Sequence, residues 1–216
     1  MKRLPYIVLL FDLVFGLIGC SFKPDETIVM LGSESYVVSM NDMAPEEWES
    51  PFLSCFEKIP DGYFPPVIEG EYRISKKQFS TSNLGYDLSD SLDMYLRVLN
   101  QHNRVASVQF FEGGTVWTDT AFIMGAEPWF TLYFKEKRAL TSYGTTHAHR
   151  RFVVFTGRKS DEGIHDLVFG SLILDAENGD DPYVGAFIPG WYFIYKDSDG
   201  LSENCDWFSH VEDDGE

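Results

Sequence analysis

From Val67 onward, apolar and polar residues alternate with a period of two, and this restricts most of the chain to strands. In residues 68–74, Ile68, Tyr72 and Ile74 share one face, while Glu69, Glu71 and Arg73 share the other. A strand half-buried on one side has this pattern; a helix repeats its apolar face every 3.6 residues. Leu92, Met94, Leu96 and Val98 then alternate with Asp93, Tyr95 and Arg97. Further strands are expected over 104–111, 115–123, 129–137, 150–156, 165–175 and 191–196. They are punctuated by Asn100-Gln101-His102-Asn103, Glu112-Gly113-Gly114, Gly125 to Pro128 and Gly157 to Gly163, which carry the usual turn chemistry.

About eight short strands with no amphipathic helix of useful length predict an all-β domain, an antiparallel barrel or sandwich, over residues 67–208. Eight strands in up-and-down order suit a small closed barrel, wide enough for packed side chains or one small ligand. Closure also removes strand edges, which matters for a chain that is 16% aromatic. The acidic end, 209–216, is expected to be a solvated tail.

The other end is read differently. Lys2 and Arg3 precede an apolar stretch closing on Leu17-Ile18-Gly19-Cys20, the layout of a secretory signal over residues 1–19. Asp12 interrupts the stretch, which is too short for a membrane span of about 20 apolar residues. Cys20 directly after Leu-Ile-Gly resembles a bacterial lipobox. The resemblance implies cleavage before Cys20, lipid on its sulfur and a membrane-tethered mature protein. Residues 20–66, with Pro51, Pro60, Pro65 and Pro66 excluding a long helix, are expected to be a spacer with short elements. It includes a helical turn at 44–49.

Lipidation of Cys20 leaves Cys55 and Cys205 of the three cysteines. An exported protein lives where a disulfide persists, so these two are expected to pair; two separate buried thiols are the alternative. Removing the signal also removes Lys2, Arg3 and Asp12, taking the formal charge from −17 to −18. That excess of acid repels phosphate backbones and excludes nucleic acid as a partner.

Three stretches carry a further resemblance. Ile68-Glu69-Gly70-Glu71-Tyr72, Phe155-Thr156-Gly157-Arg158-Lys159-Ser160-Asp161-Glu162-Gly163-Ile164 and the run 193–204 resemble uncharacterised lipoproteins of the Bacteroidetes type. The resemblance implies an outer-membrane or cell-surface lipoprotein, periplasmic or outward-facing, with a β-rich, lipocalin-like domain. It implies no activity.

Catalytic signatures are weak. Ser171 lacks the second glycine of a nucleophile elbow and sits mid-strand. Asp180-Asp181 and Glu46-Glu47 are sequence neighbours that extended chain sends to opposite sides. His147 and His149 flank Ala148 and would share a strand face, but they follow a loop-like run and are expected at the surface. Asp197, Asp199 and Glu203 resemble the opening of a calcium loop. Position 201 is Leu, however, and Asp197-Ser198-Asp199-Gly200 is read as a strand-end turn with Asp and Gly in their usual roles. No metal and no cofactor is expected.

Trp117, Trp129 and Trp191 remain as candidate ligand-facing residues, since aromatic rings line apolar cavities and stack on sugars. The sequence therefore points to a non-enzymatic, lipid-anchored binding or scaffolding module for a small apolar ligand or an envelope partner protein. A glycan-binding accessory protein is the second reading and a hydrolase a distant third.

Overall fold

The computed structural model describes residues 26–31, 34–75, 77–84, 93–112, 115–142, 145–177 and 188–208. Residues 1–25, Cys20 among them, and residues 209–216 lie outside the described residues. Two strands, β1 (Glu26–Leu31) and β2 (Glu34–Ser39), form an antiparallel hairpin. A 3-10 turn (Met40–Asp42), capped by the Ser39 hydroxyl accepting from Asn41 N at 3.2 Å, leads to the helix α1 (Glu46–Leu53). A short β3 (Tyr63–Phe64) follows. The remaining strands are β4 (Gly70–Ile74), β5 (Gln78–Ser82), β6 (Met94–His102), β7 (Val105–Glu112), β8 (Thr115–Ala126), β9 (Trp129–Ser142), β10 (Thr145–Lys159), β11 (Gly163–Glu177), β12 (Tyr192–Lys196) and β13 (Leu201–Asn204).

The protein is all-β, with an 11-stranded sheet, antiparallel except where the short β3 pairs in parallel with β8, that closes on itself in a ring. Its path runs β10–β9–β8–β7–β6–β4–β13–β11 and returns to β10. Strand β11 makes the closure possible by taking three partners. It pairs with β10 along one edge, and with β13 (Gly163 to His165) and β12 (Val168 to Leu172) along the other. β12–β13 and β4–β5 are two chain passages, each broken once, and they meet at their breaks. There the Ser75 hydroxyl donates to Asp197 at 3.1 Å and to Asp199 at 2.8 Å, and Ser202 donates to Asp197 at 2.7 Å.

Inside the ring the period-two pattern does what it predicts. Ile68, Tyr72, Ile74, Met94, Leu96 and Val98 are all buried in one cluster that continues across the ring to Phe130, Leu132, Phe134, Val153, Phe155 and Phe169. Each such side chain contributes about 1.5–3 kcal/mol by leaving water. At one end, the Tyr72 hydroxyl donates to Ile68 O at 2.9 Å.

A second cluster lies on the outer face. Met40, Met43, Phe52 and Phe56 cover Met124, Tyr133, Phe152, Val154, Leu172 and Ile194. The helix is longer than the single turn expected at 44–49 and runs through Pro51. Its Phe52 is fully buried, edge-on to Phe56 at 5.4 Å and to Phe152 at 5.7 Å. Gly170 on β11 allows that approach. A Cβ there would stand 2.7 Å from Phe56 Cζ and 2.8 Å from Phe52 Cε2.

The pairing of Cys55 with Cys205 is corrected: both are free thiols. Cys55 follows α1 on the outer face, where its Sγ lies 3.6 Å from the Tyr192 hydroxyl on β12. Cys205 follows β13, and its backbone N–H donates to Glu71 O on β4 at 2.9 Å. Their elements anchor to different strands, and a disulfide demands Cα atoms within about 7 Å.

Candidate functional site

The inward face of the ring changes character toward one end. On β9, Phe130, Leu132 and Phe134 belong to the interior cluster. Side chains alternate along a strand, so the next two on that face are Glu136 and Arg138. On β10 the face of Phe155 and Val153 continues through Arg151 to His149. On β8 the face of Ile123 and Ala121 continues through Asp119 to Trp117, which packs against the interior cluster.

These residues form a buried ionic group. Glu136 and Arg138 are 5% and 7% exposed. Arg138 Nε lies 2.7 Å from Glu136 Oε1, and Arg151 Nε donates to the same oxygen across the β9–β10 ladder. The Arg138 guanidinium also sits over two rings, 4.4 Å from the centre of Trp117 and 4.8 Å from that of Phe110. This is cation–π geometry.

At the same level the wall parts. The β8–β9 ladder runs from Ala126–Trp129 to Phe122–Tyr133 and stops. Beyond it, residues 115–121 pair with β7 and residues 134–142 pair with β10. Among the described residues no ladder joins these two segments. Three buried polar atoms stand without a hydrogen-bond partner around this end: Trp117 Nε1, Glu136 Oε2 and Ser171 Oγ. Ser171 is one register step deeper, on the Phe134–Val153–Ser171 row. Native interiors leave few such atoms unpaired.

The titratable groups reflect this burial. His149 is pushed down to about 4, first by desolvation and then by the Arg138 charge, against an opposing pull from Asp175. It is therefore neutral at pH 7. Burial raises the Asp119 carboxyl, opposed by the hydrogen bond from Thr120 N at 2.7 Å. The histidine expected at the surface is thus an inward-facing residue of β10, 3% exposed. A hollow of about 380 Å³ between β9, β10 and β11 reaches it beside Arg150 and Asp175.

The three tryptophans stand in three places. Trp117 belongs to the ionic group. Trp129 lines a cavity of about 430 Å³ with Lys58, Thr156, Asp166, Lys196 and Asp197. Lys58 Nζ covers its ring at 3.8 Å, held by the Thr156 hydroxyl donating to Lys58 O at 3.2 Å, and Lys196 pairs with Glu57 at 3.1 Å. Trp191 is half-buried just before β12, where its carbonyl accepts from Ile173 N at 2.8 Å.

The calcium-loop candidates are a turn at the ring's seam. The oxygens of Asp197 and Asp199 are taken by Ser75, Ser202 and Leu201 N. Glu203 is exposed opposite Arg73 on β4. Among the described residues no three His, Cys, Asp or Glu side chains converge as metal ligands would.

Glu136, Arg138 and Arg151 escaped the sequence reading. In Lys135-Glu136-Lys137-Arg138 and Arg150-Arg151 both faces carry charge, so the apolar–polar alternation that marks the inward side disappears. Extending the register of Phe130, Leu132 and Phe134 by two more steps would have found the first two. No family model matches the chain, and neither does any curated protein or solved structure.

Proposed function

We propose that this chain is a lipid-anchored binding protein of the bacterial envelope, tethered through Cys20, whose ring works as a lipocalin-like barrel. It takes a small molecule at the end where β8 and β9 part. The observation that carries this reading is the parted wall itself: a buried Glu136–Arg138–Arg151 group stands beside it, with polar atoms of Trp117, Glu136 and Ser171 unpartnered. A group built only for stability would gain from pairing those atoms or replacing them with apolar side chains. The ligand is accordingly one with a polar group, whereas a purely apolar molecule would leave the orphaned atoms unpaired.

The glycan reading gains nothing from Trp117 and Trp129. Arg138 lies over the Trp117 ring and Lys58 over that of Trp129, so each has a ring face already taken by a cation. Tethering fits the resemblance to Bacteroidetes-type lipoproteins, which implies an outer-membrane location.

A thermal-shift panel of polar, amphipathic and apolar metabolites tests the binding function. A compound that raises the melting temperature of the wild type but not of Trp117→Ala is the expected result, and a panel without any stabilising compound would overturn it. Membrane fractionation of Cys20→Ser tests the anchor: the variant should appear in the soluble fraction or accumulate unprocessed.

A further inference from the structure

The end of the ring opposite the parted wall holds apolar side chains out in water. Among the described residues, Phe64 and Val67 are the two most exposed large apolar side chains, at 85% and 67%. They belong to Tyr63-Phe64-Pro65-Pro66-Val67, beside the turn from β8 into β9. The segment is pinned there. Gly125 N donates to Gly62 O at 3.1 Å, and Tyr63 and Phe64 pair in parallel with Gly125 and Ala126. The Gln101 side chain donates to Pro66 O at 3.0 Å and accepts from Ile68 N at 2.8 Å. The Arg104 guanidinium lies 5.0 Å from the centre of the Tyr63 ring. Pro65 and Pro66 stiffen the stretch between these points. Pro66 and Ile68 are buried in the body, which leaves Phe64 and Val67 outside it. Ala126 and Pro128, both exposed in the adjoining turn, extend the apolar surface.

Single exposed apolar residues are ordinary, but a contiguous group held in place marks a contact surface. Charge and size narrow what it touches. Asp61, Glu69 and Glu127 are exposed beside it, and the chain carries a formal charge of −17, so an anionic surface is repelled. A stable protein interface buries about 800 Å² on each partner, more than two side chains and a turn offer. A zwitterionic bilayer asks for less, because apolar side chains need only reach past the head groups, with affinity that grows with the area buried. The chain's own tether supplies proximity. Cys20 precedes Glu26 of β1 by six residues, which reach at most about 20 Å. A body held that close meets lipid before any other apolar phase.

We propose that Phe64 and Val67 form a membrane-contact tip that seats the ring on a zwitterionic lipid surface. The proposal rests on the tethering through Cys20 put forward above and adds the orientation of the ring. Along β8 the tip adjoins Gly125 and Ala126, while the parted stretch lies at residues 115–121. Seating the tip in lipid therefore turns the parted end, and the ionic group inside it, away from the bilayer.

The test is hydroxyl-radical footprinting read by mass spectrometry. The mature chain, residues 20–216 with Cys20→Ser and an added N-terminal histidine tag, is held by nickel-chelating lipid on phosphatidylcholine vesicles. The same chain free in solution is the reference. Oxidation of Phe64 should fall about fivefold or more on the vesicles, while Val116 and Ile188, toward the other end of the ring, change less than about twofold. Phe64→Ser combined with Val67→Ser should keep the melting temperature, since both side chains are exposed, and should leave Tyr63 as reactive on the vesicles as in solution. Replacing a third of the phosphatidylcholine with phosphatidylglycerol should lessen the protection.

Unchanged oxidation of Phe64 on the vesicles would overturn the proposal, as would equal protection at both ends of the ring or protection that requires phosphatidylglycerol. Protection of Phe64 in native envelopes but not on vesicles would assign the tip to a protein partner and overturn it too. The histidine tag stands in for the lipid, so these results are separate from the tether. Cys20→Ser remaining in the membrane fraction of cells, with Phe64 still protected on vesicles, would remove the tether and keep the tip. Release of Cys20→Ser with Phe64 unprotected would keep the tether and remove the tip.

Discussion

The guanidinium of Arg138 lies 4.4 Å from the centre of the Trp117 ring, across the stretch where β8 and β9 have parted. The contact spans a wall with no ladder hydrogen bonds at that height. Side chains, rather than backbone, hold the two strands near each other there. Such a region opens more readily than a paired one, because local stability follows the density of bonds and contacts. Amide exchange should therefore be faster at residues 116–121 than at residues 105–110 on neighbouring β7.

Removing Glu136 should be among the most costly single changes. Glu136→Ala leaves two guanidiniums inside the ring with no carboxylate between them. Breaking a buried pair from one side costs about 3–5 kcal/mol. For a chain of 216 residues, that lowers the melting temperature by roughly 10 °C. Lys137→Ala, whose partner Glu177 is as exposed as itself, should change it by less than about 2 °C. Thermal melts of the two variants side by side make the comparison.

Acid should act through His149. Its folded-state pKa is about 4, below the ordinary 6.5, with burial the main cause. A depressed pKa means the unfolded chain takes up the proton first. The stability that neutral His149 contributes is complete above about 6.5 and is lost as the pH falls toward 4. The melting-temperature difference between wild type and His149→Gln should narrow or reverse in that window. Proton NMR of the imidazole should show a midpoint near 4, and a midpoint near 6.5 would contradict the burial.

The outer face depends on a missing side chain. In Gly170→Ala the new methyl would press on Phe52, Phe56 and Ile194, its Cβ lying 2.6–2.8 Å from their nearest atoms. Overpacking of this kind costs about 1–3 kcal/mol. The helix and the loop after it should loosen before the ring does. Faster proteolysis near residues 54–61, with the ring's circular dichroism preserved, is the expected signature.

Reducing agent should leave the melting temperature unchanged, since Cys55 and Cys205 are separate thiols. Burial pushes the Cys205 thiol up, opposed by a hydrogen bond from the Trp207 backbone. It should therefore react with iodoacetamide more slowly than a free cysteine at the same pH, as mass spectrometry of the labelled protein would measure.

The period-two face of Ile68, Tyr72 and Ile74 was legible because alternation is a local property. Each strand with one apolar side announces itself within a few residues. The turn at Asp197-Ser198-Asp199-Gly200 was legible for the same reason. The helix ran longer than expected because Phe52 and Phe56 gain more by covering Gly170 than Pro51 costs. That term involves a strand more than a hundred residues away.

By itself the amino-acid sequence determined the all-β class, the approximate place of the strands in the ring and the residues of its apolar interior. It also carries the Leu17-Ile18-Gly19-Cys20 start, which directs the envelope proposal. The tertiary structure alone decided that β11 takes three partners, that Cys55 and Cys205 stay apart and that the β8–β9 ladder stops at Phe122–Tyr133. It also decided that Glu136, Arg138 and Arg151 meet inside the ring. Burial and charge pairing are set by which strands become neighbours, and that depends on the closure of the whole ring. No window of the sequence contains that information, and the candidate site depends on it.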